Sequence, residues 1–170
     1  MDIALLILRI VVGLTLAAHG AQKVLGWFGG PRIEGFAKGL GSMGIKPARA
    51  WAWVAGLSEL AGGLLIALGL LWPAGPLLGI GSMLVAIATV HWSKGFFNSK
   101  GGFEFPFVML GSMLAMGLAG PGLVAIDHLL GFRMPEPLTV LVGLVLVVLG
   151  AGSALASRFW RAPAVRPELG

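Results

Sequence analysis

Two apolar runs stand back to back in residues 51–92, WAWVAGLSELAGGLLIALGLLWPAGPLLGIGSMLVAIATVHW. Each run, 51–71 and 74–92, is close to the ~20 residues that an α-helix needs to cross a hydrocarbon core of about 30 Å. Only Trp72 and Pro73 separate the runs, so the two helices must form an antiparallel hairpin. The stretch therefore predicts two neighbouring membrane spans.

Three further apolar runs flank this hairpin, at 3–21, 105–118 and 138–156. The 170-residue chain is 57% hydrophobic and 11% charged, with a mean hydropathy of +0.93, a composition that excludes an ordinary soluble domain. The sequence predicts an all-α membrane protein, a helical bundle of four spans plus a fifth, C-terminal one. We expect a bundle over 1–130, an extra transmembrane helix over 131–157 and a basic tail over 158–170.

Basic residues alternate between the two sides of this predicted layout. One side holds Lys23, Arg32, Lys38, Lys46, Arg49, Lys94, Lys100, Arg158, Arg161 and Arg166. The other side has Arg133 alone, and Arg9 lies inside the first span. Because cytoplasmic loops are enriched in Lys and Arg, we expect the N-terminus outside and the C-terminus in the cytoplasm. Topology explains the scattered basic residues better than nucleic-acid binding, which we do not expect.

A short segment between the first two spans has helical periodicity. Apolar residues recur at positions 33, 36, 37, 40 and 43, whereas Glu34 and Lys38 lie four residues apart on the other face. This pattern predicts an interfacial amphipathic helix lying on the membrane.

Five ionisable residues lie within or at the ends of the predicted spans: Arg9, His19, Glu59, His91 and Glu104. A charged side chain near the bilayer centre costs about 2.5–3.5 kcal/mol on insertion scales, so it is usually paired or lines a polar cavity. At ~1.5 Å of rise per residue, roughly 9 Å of height separates Arg9 from Glu59. We therefore predict an ion pair between them, which either supports a site or only fixes the helix register.

The remaining polar residues of the spans gather at their cytoplasmic ends. His19, Lys23, His91 and Glu104 are predicted to form an inward-opening pocket, backed by the Arg9–Glu59 pair. The candidate catalytic residues are His19, Glu59 and His91, and the candidate substrate-binding residues are Arg9, Lys23 and Glu104. The alternative is structural, with His19 bonded to a neighbouring helix and His91 and Lys23 anchoring the interface. Asp127 and His128 are expected in a solvated outer loop.

An ordered set of short motifs resembles the DoxX family of small bacterial membrane proteins. The motifs are Arg9, His19-Gly20-x-Gln22-Lys23, Gly26-x-Phe28-Gly29-Gly30, Glu59-x-x-Gly62-Gly63, His91 with Gly95-Phe96-Phe97, Gly101-Gly102-x-Glu104, and Gly120-Pro121-Gly122 ahead of Asp127. The resemblance covers about three quarters of the chain. Two features depart from it: the family typically has four spans, and Phe103 stands where members usually have Tyr.

The resemblance implies a multi-pass protein of the bacterial inner membrane. Relatives are similar to the membrane subunit of thiosulfate:quinone oxidoreductase, and others are linked to a membrane oxidoreductase complex with superoxide dismutase and a sulfurtransferase. The substrate does not transfer with the resemblance, because the pocket residues are family-wide and thiosulfate use is not.

Two functional hypotheses follow. In the first, the chain is a subunit of a quinone-linked oxidoreductase whose pocket holds a quinone head group or a small anion, with His19, His91 and Glu59 handling protons. A haem b between His19 and His91 is a variant of this hypothesis. In the second, the chain is a non-catalytic scaffold or small-solute permease that recruits soluble partners. The chain has no cysteine, which excludes thiolate-held clusters and zinc, and no metal-ion site is predicted.

Overall fold

The computed structural model describes residues 1–135 and 137–160, and this part of the chain is helical without a β-strand. The α-helices are α1 (Asp2–Val24), α2 (Arg32–Ser42), α3 (Ala48–Leu68), α4 (Ala74–Ala86), α5 (Glu104–Ala119), α6 (Ile126–Leu130) and α7 (Leu138–Ala156). A π-helical turn, Ile87–His91, and a 3-10 turn, Trp92–Lys94, extend α4. Two other 3-10 turns, Trp27–Gly29 and Asn98–Lys100, lie in loops, and a third, Ser157–Phe159, follows α7.

Four of these helical segments are long and apolar enough to cross a membrane: Asp2–Val24, Ala48–Leu68, Ala74–Lys94 and Leu138–Phe159. Glu104–Ala119 is a shorter apolar helix. The predicted class, an all-α membrane bundle with a C-terminal helix added to it, is confirmed. Most of the predicted basic tail, at 161–170, lies outside the described residues.

Small residues bring α1 and α3 into backbone contact. A Cβ added at Gly63 would lie 2.3 Å from the Ala17 nitrogen, and one at Gly20 would lie 2.2 Å from the Leu60 nitrogen. Such separations leave no room for a side chain, so glycine is required for this approach, as in other small-residue membrane interfaces. The contact fixes the height of α1 against α3 and thereby places Lys23 one turn of helix from the level of Glu59.

Helix α4 is the centre of the bundle, with α3, α5 and α7 packed around it. The main apolar core lies where α4 meets α1, α3 and α5, and four methionines help to fill it: Met83, Met109, Met113 and Met116. Unbranched Met side chains adapt to irregular gaps between helices. Helix α7 packs mainly on α4 and leaves most of its surface exposed, as expected for a helix whose outer face contacts lipid.

The helix ends meet in two separate layers. At one end, which we call the basic end, the Arg158 guanidinium donates to the Met43 carbonyl and the Lys46 amide donates to the Ser157 hydroxyl. At the opposite end, the Asp2 carboxylate accepts from the Leu123 amide. Nearly all the described Lys and Arg residues outside the spans are at the basic end, in agreement with the alternation seen in the sequence.

The predicted amphipathic helix is present as α2 and packs against α3. Ile33 and Leu40 on its apolar face are buried, whereas Glu34 and Lys38 are exposed. Leu40 joins Ile45 in a small second core at the basic end. Helix α2 therefore covers one end of the space beside α3.

Candidate functional site

A cavity of about 560 Å³ opens beside α4 near the basic end. Its lining comes from α1, α2, α3, α4 and α7, so five helices contribute to one space. Most of the wall is aliphatic, and leucine, valine and alanine side chains from α3, α4 and α7 predominate. Polar side chains are few: His19, Lys23, Ser58, Glu59, Ser82, Thr89 and His91. A largely apolar cavity with a few polar groups is the usual form of a small-molecule site.

The strongest polar feature of this cavity is the Glu59 carboxylate, which is fully buried with 0% of the residue exposed. The Lys23 ammonium pairs with both of its oxygens, and the Ser82 hydroxyl donates to one of them. We call these three side chains the Lys23–Glu59–Ser82 triad. Lys23 also lies over the Phe36 ring, 5.0 Å from its centroid. A buried carboxylate is stable only when it is paired and hydrogen-bonded. The triad meets both conditions, so Glu59 can stay charged in an apolar wall.

Two histidines complete the polar wall. His19 lies one turn before Lys23 on α1 and packs against the Phe105 ring, with 5.3 Å between centroids. His91 ends the π-helical turn of α4, and its Nδ1 is 2.7 Å from the Gly101 carbonyl oxygen. When that nitrogen carries the proton, Nε2 is left as an acceptor. Single π-turns often occur at functional sites, and this one lets His91 line the cavity.

The predicted Arg9–Glu59 ion pair is wrong. Arg9 donates to the Val124 carbonyl and packs over Gly69, where an added Cβ would lie 1.6 Å from its Nη1. Gly69 is ten residues beyond Glu59, so about 15 Å of helix separates the two charges. The close contact of Gly20 with Glu59 and Leu60 sets this register, and it places Glu59 eleven residues of α1 away from Arg9. Arg9 does not line the cavity.

Glu104 also lies outside the cavity, contrary to the predicted pocket. Its carboxylate accepts from the Asn98 amide at 2.9 Å, and its backbone amide donates to the Phe96 carbonyl at 2.8 Å. These bonds close the loop between α4 and α5. Of the six predicted site residues, the structure places His19, Lys23, Glu59 and His91 around the cavity.

Two buried polar residues differ from what the sequence predicted: Ser82 of the triad, which was not predicted as a site residue, and Asp127. Asp127 is 2% exposed rather than solvated, and its carboxylate accepts from the Leu71 and Trp72 amides at 2.9 and 2.7 Å. The Asp127 amide donates to the Gly69 carbonyl at 3.0 Å, which ties α6 to the α3–α4 turn. The sequence feature that could have indicated a role for Asp127 is its place after Gly120-Pro121-Gly122 among the DoxX-like motifs. His128 beside it is exposed, as expected.

A sequence model of the family described as DoxX matches residues 4–92, just over half of the chain. The chain belongs to the DoxX family. The matched segment holds every polar side chain of the cavity wall, from His19 to His91. The cavity-lining part of α7 lies beyond it, so in this DoxX protein the matched segment supplies the polar groups and α7 adds an apolar wall.

One curated relative of this DoxX protein comes from Bacillus subtilis (strain 168) and is named "Putative oxidoreductase CatD". The two sequences are 29% identical over 126 residues, which cover 74% of this chain and 86% of the relative. No solved structure matches the chain. The relative's name describes an oxidoreductase without a substrate.

The DoxX cavity offers a restricted chemistry. Lys23 is a hydrogen-bond donor, Glu59 is an acceptor whose oxygens Lys23 and Ser82 already contact, and His19 and His91 can give or take a proton. The aliphatic walls favour an uncharged, largely apolar ligand with one or two polar atoms. The arrangement can therefore bind such a ligand by its polar end and move protons to or from it.

Proposed function

We propose that this DoxX protein is a membrane component of a quinone-linked oxidoreductase and that its cavity binds the quinone head group. The observation that carries the proposal is the position of the Lys23–Glu59–Ser82 triad in the wall of a largely apolar cavity between membrane-spanning helices. A quinone has a flat apolar ring, which matches the aliphatic walls. It also has two carbonyl oxygens, which can accept hydrogen bonds from donors in the cavity. The named relative supports an oxidoreductase but leaves the substrate open.

The size of the cavity supports this occupant. At about 560 Å³ it falls within the common range of ~300–1,000 Å³ for small-molecule sites. Lys23 or a histidine would donate to one carbonyl oxygen, while the ring would lie against aliphatic side chains of α4 and α7. Glu59 would keep Lys23 in place, because it pairs with that ammonium and with Ser82 at the same time.

Reduction of a quinone to the quinol consumes two electrons and two protons. In the proposed reaction the protons come from the basic end through His19 and His91, whose imidazole rings can each accept and donate a proton. The electrons come from a partner oxidoreductase subunit that carries a redox group, since this chain has no cysteine to hold a cluster. Apart from Lys23, the seven described Lys and Arg residues at the basic end would attract an acidic partner surface.

We further propose a bacterial inner-membrane location with the N-terminus outside and the basic end in the cytoplasm. Arg133 stands alone at the opposite end, which gives the Lys and Arg asymmetry that sets orientation. In this arrangement residues 1–130 form the family bundle, 131–157 add a helix and 158–170 form a cytoplasmic tail.

The test is purification in mild detergent, followed by extraction of bound small molecules for mass spectrometry and by an absorbance spectrum. Wild type is compared with His19→Ala, Ser82→Ala and the matched control His128→Ala, which removes an exposed histidine at the opposite end. We expect a co-purified quinone in wild type and in the control, reduced about tenfold or more in the two cavity variants.

Two other results would redirect the assignment. A Soret band that disappears in His19→Ala and His91→Ala would favour haem b. Both histidines line the cavity, so both could hold a haem iron. The Gly101 carbonyl would orient the His91 ring through its other nitrogen. An empty, colourless protein of equal stability in all forms would contradict the quinone proposal. That result would favour the scaffold or permease. The observation that supports this alternative is that both Glu59 oxygens are already bonded to Lys23 within the protein.

A further inference from the structure

A second cavity of about 350 Å³ lies between α4 and α7, on the side of the first cavity that faces the opposite end. Its lining is apolar, apart from the Thr139 hydroxyl, which donates to the Pro135 carbonyl. The remaining lining residues come from Pro73 and the first turn of α4, the first three turns of α7 and the chain just before α7. Nothing in the proposed head-group chemistry uses this space.

The two cavities share part of their walls. Leu77 and Leu146 line both, so the apolar space runs along the seam of α4 and α7 with these side chains at the junction. From Ser82 of the triad to Ala74 in the second cavity is eight residues of α4, or about 12 Å. That distance is longer than a single-ring head group.

Gly143 makes this junction narrow and adjustable. A Cβ at Gly143 would lie 2.3 Å from the Leu77 Cδ1, so the Leu77 side chain rests directly on the α7 backbone. A change in the Leu77 rotamer is a smaller movement than the displacement of a helix. Side chains, rather than a helix backbone, therefore separate the two cavities at this point.

We propose that the second cavity is a subsite for the apolar tail of the ligand whose head group lies at the Lys23–Glu59–Ser82 triad. The inference rests on the proposed function and specifies the substrate class further: a lipid-soluble quinone with an isoprenoid or alkyl tail. Three observations carry it: the shared Leu77–Leu146 junction, the apolar lining, and the position of both cavities along membrane-spanning helices. A small water-soluble anion has no apolar tail that could occupy the second cavity.

The experiment compares two quinones that differ only in their tails, a ubiquinone analogue with one isoprene unit and its decyl-tailed counterpart. Their affinities are measured on detergent-purified wild type, Val142→Trp and the matched control Val145→Trp. Val142 lines the second cavity and is 49% exposed, whereas Val145, three residues further along α7, lines neither cavity and is 58% exposed. Thr139→Phe fills the same cavity from the preceding turn and serves if Val142→Trp does not fold.

We expect wild type to bind the decyl quinone more tightly than the short one, and Val142→Trp to weaken only the decyl quinone, by about tenfold. Val145→Trp should bind both as wild type does. Equal binding of the decyl quinone by wild type, Val142→Trp and Thr139→Phe would overturn the tail subsite while leaving the head-group site intact. Binding of neither quinone to wild type would overturn the proposed function and the subsite together.

Discussion

The two ends of the bundle each bury a charged side chain, but they do so in different surroundings. At the basic end Glu59, 0% exposed, pairs with an ammonium and a hydroxyl beside an open cavity. At the opposite end Arg9, 1% exposed, donates to the Val124 carbonyl, and among the described residues its Nε and Nη1 have no hydrogen-bond partner. The Arg9 guanidinium rests on Gly69 in close packing.

The difference shows that buried charge alone does not identify a site. Glu59 and Arg9 are equally inaccessible, yet only Glu59 belongs to a wall that a ligand can reach. Asp127 supports the same conclusion, because its carboxylate is fully used by two turn amides next to Arg9. We therefore interpret the Arg9–Asp127 region as structural and the Lys23–Glu59–Ser82 triad as functional. The following substitutions test that division.

The largest effect is expected from Lys23→Met, which leaves the Glu59 carboxylate buried without its charged partner. Removing one member of a buried ion pair costs about 3–5 kcal/mol, so the free energy of unfolding in detergent should fall by that amount. The double variant Lys23→Met/Glu59→Gln removes both charges and should recover most of the loss. Denaturant unfolding followed by circular dichroism measures the stability of both variants. If Lys23→Met alone were as stable as wild type, that result would contradict the Lys23–Glu59 pairing.

An intermediate effect is expected from Asp127→Ala at the opposite end. The substitution leaves the Leu71 and Trp72 amides without their acceptor, and an unsatisfied buried donor costs about 1–3 kcal/mol. Stability should therefore fall, whereas the ligand content per folded molecule should stay at the wild-type level. A loss of bound ligand without a loss of stability would place Asp127 in the functional region and break the comparison.

The smallest effect is expected from Glu104→Gln. The amide oxygen of Gln can still accept from the exposed Asn98 amide, so stability should change by less than about 0.5 kcal/mol. Because Glu104 does not line the cavity, ligand content should also be unchanged. Reduced ligand binding in this variant, measured beside His128→Ala, would return Glu104 to the site.

Several parts of this architecture followed from the order of residues. The apolar runs predicted the spans, the two-residue connection at Trp72 and Pro73 predicted the hairpin, and the periodicity at 33–43 predicted α2. The grouping of His19, Lys23 and His91 at one end also agrees with the cavity lining, because all three occupy span ends on the same side. The position of a residue along a helix follows from its position in the sequence, so it can be predicted without the tertiary structure.

The partners of the buried charges required the tertiary structure. The sequence placed Arg9 near Glu59 because depth along a helix includes neither the register set by the close approach of α1 and α3 nor the rotation of each helix about its axis. The contact at Gly20 and Gly63 instead brings Lys23 to Glu59, and the turn of Leu71 and Trp72 captures Asp127. Asp127 looked solvated because nothing local in its sequence shows that two amides from a segment 55 residues earlier point at it.

The sequence by itself determined that the chain crosses a membrane several times, which end carries the positive charge and which family it belongs to, since composition, spacing and motif order are local properties. The tertiary structure decided which buried charge faces a cavity, which partner each one has and where α7 closes the wall. Those choices depend on how closely two helices approach and which faces they turn to each other, and in this bundle the approach is set by backbone contacts at glycines far apart in the chain.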